Sequence, residues 1–396
     1  MRKVAIIGQG YVGLPLAVAA AQSDIQTVGI EINPKKVELL NLGISDVEDV
    51  KSSDLASLID KKRYRVTSDY SSIKGVDIVV ICVPTPLTTS GEPDLSLMVE
   101  ATKSFSKHLS KGVLIILEST VAPGTTREIL IPLIEKESGL SESNFDVAYS
   151  PERIDPSNHN WSIKNTPKVV SGINLASLTR ASEFYSKFVD SVIECESIEV
   201  AETAKLLENT FRLINISLIN EISVFCNKLG ISVTSVVSAA SSKPYGFMPF
   251  HPSLGVGGHC IPVDPVYLEN KASTIGTPIR MIKLASEINR SIPEYFVRRA
   301  EMLLKSLKDR KILVIGIAYK PNVSDTRESP AIALIIGLRD KGAKVFWNDD
   351  LVKSWNGELS TPIDSDFDLA IMVTPHDDLD LLPLSGVKLL NTRDSI

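Results

Sequence analysis

Val4-Ala5-Ile6-Ile7-Gly8-Gln9-Gly10-Tyr11-Val12-Gly13 decides the fold of this chain. Four apolar residues without polar alternation read as a strand buried on both faces, and three glycines at spacings of two and three mark the turn into a helix. Gly8 permits the tight turn, Gly10 lets backbone come close to a pyrophosphate, and Gly13 lets the helix pack on the strand. The N-terminus of that helix favours phosphate charge. Glu31 ends the next strand, roughly 20 residues on, where an acid hydrogen-bonds a ribose diol and repels a 2′-phosphate. Gly8, Gly10, Tyr11, Val12, Gly13 and Glu31, with Lys36 close by, therefore form a candidate NAD site. A glycine turn without a ligand is the plain alternative, and the strand, helix and acid together outweigh it.

Outward from this motif, Thr27 to Ile30, Ile78 to Val83 and Val113 to Leu117 repeat the short, β-branched, apolar texture of buried parallel strands between longer helical patterns. That alternation predicts βαβ units, hence an N-terminal Rossmann domain. Thr85 follows one of these strands, and Ser119 and Thr120 follow another, at the carboxyl ends where open α/β sheets bind ligands. They are candidates to face the nicotinamide, although Ser and Thr serve turns and helix caps everywhere.

Ile198 to Leu229 changes period, with apolar residues three and four apart and neither glycine nor proline, so it reads as one long helix or two abutting ones. Glycine and proline crowd Lys243 to Pro265, which reads as loop, and a second helical stretch is expected from Pro278 to about Leu307. Lys311 to Gly316 opens another strand-then-loop pattern, followed by a helix from Pro330 and strands at Lys344 to Trp347 and Leu369 to Val373. The expected fold is α/β: a Rossmann domain over 1–197, a central helical domain over 198–305 and a smaller Rossmann-like α/β domain over 306–396.

The bulk of the chain fits a globular protein. It has 396 residues, 43% hydrophobic and 23% charged, with a formal net charge of -6 and no Lys/Arg run, which argues against nucleic acid or an anionic membrane as partner. Cys82, Cys195, Cys226 and Cys260 lie far apart without a C-x-x-C pair, so neither a metal knuckle nor a disulfide framework is suggested. No apolar run reaches membrane-spanning length and the N-terminal apolar stretch turns into glycines early, so the expected location is cytoplasmic.

The reactive candidate is Gly255-Val256-Gly257-Gly258-His259-Cys260-Ile261-Pro262-Val263-Asp264. A cysteine behind three glycines sits where backbone N–H groups and substrate can approach, and Asp264 follows at helical spacing. A lone cysteine is more often an inert core residue; the loop, the acid and the separate dinucleotide motif favour a nucleophile. Lys205 and Asn209 lie four apart on one helix face, where the cation could hold an oxyanion and the amide a second donor. A solvated Lys and an exposed Asn are the ordinary reading of such a pair.

Together the Gly8 motif, Ser119-Thr120-Val121-Ala122-Pro123-Gly124-Thr125, Ser150-Pro151-Glu152-Arg153, Lys205 to Asn209, the Cys260 loop and Lys320-Pro321-Asn322-Val323-Ser324-Asp325-Thr326-Arg327-Glu328-Ser329 resemble the UDP-glucose/GDP-mannose dehydrogenase family over almost the whole chain. The resemblance implies oxidation of a sugar C6 alcohol to a carboxylate with two NAD⁺ and one water. Cys260 would trap the aldehyde as a thiohemiacetal, a second hydride loss would give a thioester, and water would release the acid. Lys205 and Asn209 would stabilise alkoxide-like charge, while Asp264, Glu152 and Thr120 match positions tied to proton transfer and the ordered water. Glu152, Arg153, Lys205, Asn209, Tyr245, Phe250, His251, Gly257 and Lys320 would meet the UDP-sugar, and Arg327 the cofactor side of the site. The family also forms homodimers or larger homo-oligomers through its central helices.

Ser150 to Asn158, Thr166-Pro167-Lys168-Val169-Val170 and Pro244 to Pro252 look closest to the branch that oxidises UDP-N-acetylglucosamine, with the UDP-N-acetylmannosamine branch as nearest rival and UDP-glucose behind it. Two departures stand out. Ser253-Leu254 replaces the glycine and proline common in relatives, and only one turn-rich connection joins Trp347 to Asp368 where a fuller α/β layer is expected. Two other classes of function remain open from the residues: a two-electron hydroxy-acid dehydrogenase, in which Cys260 is dispensable, and a sensor that binds a nucleotide-sugar or NAD without reacting.

Overall fold

A computed structural model describes residues 3–155, 158 and 160–394. Within the stretch quoted for the sugar branch, Pro156 and Ser157 lie outside the described residues. The chain divides into two compact units, Met1–Leu207 and Glu208–Ile396.

The first unit is built on an eight-stranded sheet. Its strands are β1 (Lys3–Ile7), β2 (Gln26–Ile30), β3 (Tyr64–Thr67), β4 (Ile78–Ile81), β5 (Leu114–Leu117), β6 (Asp146–Tyr149), β7 (Lys168–Gly172) and β8 (Val192–Glu194). They run in the order β3-β2-β1-β4-β5-β6-β7-β8. All neighbours are parallel except β6 and β7, which pair antiparallel. The strands carry no polar alternation because both faces are covered. Val4, Ile6, Ile78, Val80, Leu114 and Ile116 pack into one core layer. Ala5, Ile7, Val79, Ile81, Ile115 and Leu117 pack into the other. Helices α1 (Gly13–Gln22), α2 (Pro34–Asn41), α3 (Ser52–Asp60), α4 (Ser96–Ser106), α5 (Ile131–Ser138) and α6 (Leu175–Tyr185) connect these strands. The strand order reverses between β1 and β4, the switch point at which such sheets bind dinucleotides.

The 198–229 pattern forms one helix, α7 (Ile198–Leu229), of 32 residues. Glu202, in its first turns, is fully buried and closes the loop after β5: Oε2 accepts from Gly124 N at 2.6 Å, and Oε1 from Thr126 N at 3.0 Å and the Thr126 hydroxyl at 2.7 Å. Burial outweighs these donors and pushes the carboxyl up to about 7 from its ordinary 4.5. The native state then holds this proton more tightly than the unfolded chain, so the group's contribution to stability falls as pH rises from 4.5 through 7. A Glu202→Gln variant should therefore gain on wild type by about 3 kcal/mol across that window, read from thermal unfolding at pH 5 and pH 8. A pH-independent difference would contradict it.

In the second unit α7 is followed by α8 (Val233–Ser241), α9 (Asp264–Thr274) and α10 (Arg280–Leu304). The expected loop ends where Pro265, at the first turn of α9, suits a helix start. Next comes a four-stranded parallel sheet from β9 (Lys311–Ile315), β10 (Lys344–Asn348), β13 (Leu369–Met372) and β14 (Lys388–Asn391), ordered β10-β9-β13-β14. Helix α11 (Pro330–Asp340) joins β9 to β10. Between β10 and β13 the described residues hold only a small hairpin, β11 (Ser354–Trp355) with β12 (Glu358–Leu359). It does a helix's work locally: Glu358 accepts from the indole N–H of buried Trp347 at 3.2 Å and from Arg339 at 2.8 Å. Among the described residues no helix is long and apolar enough to cross a membrane.

Candidate active site

The Gly8 turn takes the geometry its sequence predicts. Gly8 has φ +87°, and a Cβ there would lie 2.7 Å from the Cys82 carbonyl oxygen; a Cβ on Gly13 would lie 1.9 Å from the Gly8 carbonyl oxygen. Around Gly10 nothing stands within 4 Å of where a Cβ would be. This vacant cradle, at the N-terminus of a helix with no side-chain cap, fits a pyrophosphate lying on backbone. The two glycines should thus fail differently. Gly13→Ala should cost on the order of 3 kcal/mol of stability by overpacking. Gly10→Ala should melt like wild type yet bind NAD⁺ at least about tenfold more weakly, a loss of about 1.4 kcal/mol. Calorimetric NAD⁺ titration with parallel melting curves checks both, and equal NAD⁺ affinity in Gly10→Ala would refute the assignment.

Glu31 lies against this loop. Its carboxylate accepts from Gln9 N at 3.1 Å and Asn33 N at 2.9 Å. Lys36 is turned to Asp46 at 2.9 Å. The motif's variable position, Gln9, is fully buried, donating to the Ile6 carbonyl at 2.8 Å and accepting from the Tyr64 hydroxyl at 2.8 Å. Sequence reasoning missed this brace, because the glycine pattern leaves that position unspecified. Tyr11 and Val12 are half-buried in the same turn.

At the ends of β4 and β5 the predicted hydroxyls tie two loops together. Thr85 donates to the Thr120 carbonyl at 2.7 Å, and Ser119 donates to the Val83 carbonyl at 2.7 Å. Thr120 itself is half-buried. Beyond β6, Glu152 Oε1 accepts from the N–H groups of Arg153 (2.7 Å) and Ile154 (2.6 Å), and the Arg153 guanidinium reaches the Pro167 carbonyl at 2.7 Å. Glu152 Oε2 meets Lys168 Nζ at 3.1 Å, a partner the sequence reading did not name. The available signal was a lysine opening the apolar run Lys168-Val169-Val170, a position more often solvated.

Lys205 and Asn209 are both buried on α7, against the solvated reading of that pair. Lys205 is only 9% exposed, and its ammonium makes no hydrogen bond or ion pair among the described residues. Such a placement is uncommon for a lysine, which is mostly exposed unless paired.

In the second unit the structure joins three of the predicted residues. Asn209 Nδ2 donates to Asp264 Oδ2 at 2.6 Å in a buried contact, and Asp264 N donates to the Cys260 carbonyl at 2.8 Å. Cys260 is half-buried in a loop, the kind of partly exposed setting that a reactive cysteine needs. The loop's glycines are needed for close approach: a Cβ on Gly257 would lie 2.6 Å from the Glu328 carbonyl oxygen, and one on Gly258 2.7 Å from the Tyr319 ring. Gly258 N also donates to the Arg327 carbonyl at 3.0 Å, and Arg327 Nη2 stands 3.3 Å from His259 Nδ1.

The Lys320–Arg327 segment is held on its far side as well. Asn322 N donates to His376 Nδ1 at 2.9 Å, and His376 Nε2 faces Asp349 at 2.9 Å, while Asp349 accepts from Ile317 N and Ala318 N. The hydrogen bond to Asp349 raises the imidazole above its ordinary range. Lys320 is half-buried and Arg327 exposed. The expected sugar-facing residues Tyr245 and His251 are exposed, and Phe250 packs edge-on against Phe211 with ring centroids 5.7 Å apart.

Family models agree with the geometry along the chain. The NAD binding domain of the UDP-glucose/GDP-mannose dehydrogenase family matches residues 2–189, its central domain 199–291 and its UDP binding domain 313–394. A UDP-N-acetyl-D-glucosamine 6-dehydrogenase of Pseudomonas aeruginosa is 33% identical over 410 residues, covering 100% of this chain and 95% of the relative. Another, from Salmonella typhi, is 36% identical over 89% of this chain and 82% of the relative. Among solved structures, a UDP-D-ManNAc dehydrogenase from Pyrococcus horikoshii superposes with a TM-score of 0.91 at 28% identity, covering 99% of this chain and 95% of that one. The chain therefore belongs to the UDP-glucose/GDP-mannose dehydrogenase family and is an NAD-dependent nucleotide-sugar dehydrogenase.

Proposed function

We propose that this enzyme oxidises the C6 alcohol of UDP-N-acetylglucosamine to the carboxylate through a covalent bond to Cys260. The observation that carries the reading is the half-buried Cys260 next to the buried Asn209–Asp264 pair, with Asp264 N bonded to the Cys260 carbonyl. The Gly8 loop and Glu31 hold the cofactor, with Tyr11, Val12, Lys36, Thr85, Ser119, Thr120 and Arg327 around it. Bound NAD⁺ supplies the hydride acceptor for both oxidations. After the alcohol has become an aldehyde, Cys260 Sγ bonds to its carbon, and loss of the second hydride leaves a thioester. Lys205 and Asn209 stabilise the oxyanions that form on the way. Asp264 receives and returns the proton of the Cys260 thiol, and Glu152 with Thr120 orients the water that cleaves the thioester.

In this reading residues 1–197 bind the cofactor, 198–305 carry the reactive loop, and 306–396 grip the UDP through Lys320. Arg153, Tyr245, Phe250, His251 and Gly257 surround the sugar. The 36% identity to a UDP-N-acetyl-D-glucosamine 6-dehydrogenase favours that sugar, and the mannosamine epimer is the second reading on the strength of the 0.91 TM-score neighbour. The enzyme works as a homodimer or larger homo-oligomer: Leu207, Phe211, Leu218, Phe225 and Leu229 form an exposed apolar stripe at four- and seven-residue spacing along α7. A reducing cytoplasm keeps the Cys260 thiol available.

Purified enzyme with NAD⁺ and UDP-N-acetylglucosamine should release two NADH per sugar, faster than with UDP-N-acetylmannosamine or UDP-glucose. One NADH per sugar would mean a two-electron dehydrogenase, and preference for another arm would reassign the sugar.

A further inference from the structure

Buried polar side chains from several elements converge on Glu152. Glu118 follows β5, Lys168 opens β7 and Tyr185 ends α6. Lys168 Nζ lies 3.1 Å from Glu152 Oε2 and 3.2 Å from Glu118 Oε2, and the Tyr185 hydroxyl donates to Glu118 Oε1. The side chains of Glu118 and Lys168 are 0% and 5% exposed, whereas Glu152 keeps 13%. Glu152 is thus the member that reaches outward. Cys82, after β4, is a further titratable neighbour, its thiol pushed up by burial and then by Glu118, and the Arg153 guanidinium lies nearby on the Pro167 carbonyl.

The charge count makes the arrangement directional. Two carboxylates share one ammonium in a dry setting, and only one can stay ionised at low cost. Burial pushes Glu118 up to about 7, while Glu152, despite its own burial, is drawn below the usual range by Lys168 and by the Ile154 and Arg153 N–H groups. The shared cation therefore serves Glu152, and the spare proton rests on Glu118. A buried ion triad adds little stability over well-packed apolar residues, so stability alone does not account for it.

We propose that Lys168 is a positioning residue for the oxidation, fixing an ionised Glu152 toward the water that cleaves the thioester, with Glu118 and Tyr185 holding Lys168 in place. This rests on the role given to Glu152 above. In that step the water oxygen bonds to the thioester carbon, the C–S bond breaks with its electron pair on Cys260 Sγ, and a water proton passes to Glu152. The product acid then loses its own proton to solvent.

The test follows kcat against pH from 5 to 9 with the fastest UDP-sugar of the three named above, alongside melting temperatures. Wild type should show no limb from Glu152 in this window. Lys168→Met should bring an acidic limb into it, moved up by a pH unit or more, so that turnover at pH 6 falls at least tenfold relative to pH 8.5. Glu118→Gln, which keeps both the ammonium and a neutral neighbour, should leave the window without that limb, and Lys168→Arg, which keeps the cation, should stay near wild type. A structural role would lower kcat equally at every pH and in step with melting temperature. A uniform loss of that kind, or an acidic limb in Lys168→Arg or Glu118→Gln as large as that of Lys168→Met, overturns the proposal while leaving the role of Glu152 intact. Glu152→Gln with wild-type turnover, or no turnover of any UDP-sugar by wild type, overturns both.

Discussion

Cys260→Ser should lose on the order of 10⁴-fold in kcat for complete oxidation, as expected when a covalent nucleophile is removed from a site that otherwise stays assembled. The substitution is nearly isosteric and the position is half-buried in a loop, so melting temperature should change little. Serine's hydroxyl is a far weaker nucleophile than thiolate, and its ester would not turn over at a matching rate. NAD⁺ affinity should change little, because the substitution leaves the glycine turn and Glu31 unaltered. NADH formation and product analysis settle the matter. Full activity with one NADH per sugar would remove covalent catalysis and leave a two-electron dehydrogenase; NAD⁺ binding without turnover in wild type would favour a sensor.

The second large effect belongs to Lys205. Lys205→Met should lower kcat and kcat/KM together by about 10²–10³-fold, the size expected when a donor to a developing oxyanion is removed. Stability should move the other way. The Lys205 residue is 9% exposed and its ammonium has no partner among the described residues, so a methionine of similar length, which keeps the packing of the stem, should leave the melting temperature at or above that of wild type. Opposite signs for activity and stability distinguish a functional cation from a structural one. Turnover within fivefold of wild type, or a drop in melting temperature that parallels lost turnover, would count against the assignment.

Much of the first unit was legible because its signals are local. Residues 4–7 and 78–81 are apolar on both faces of the sheet, and Gly8 and Gly13 occupy positions where a Cβ would strike backbone, so the sequence there has little freedom. Strands such as Tyr64–Thr67 and Lys388–Asn391 escaped notice because they are short and interrupted by polar residues. Their place is fixed by sheet neighbours rather than by their own composition. At the site, Cys260, Asp264 and Asn209 could be named from loop chemistry and helical spacing. The Glu118–Lys168–Tyr185 cluster could not, since its members come from distant segments and each has a commoner surface or core role. The three carboxylate contacts made by Glu202 were hidden for the same reason.

The hold of Glu31 on the glycine turn bears on any redesign for a phosphorylated dinucleotide. That carboxylate bonds to the backbone of both Gln9 and Asn33. Exchanging the acid for a neutral or basic residue would relieve repulsion toward a 2′-phosphate and, in the same stroke, unfasten the loop on which every dinucleotide depends. Cofactor swapping in this scaffold is thus a two-part engineering problem, in which a new acceptor for those amides must arrive together with the new specificity.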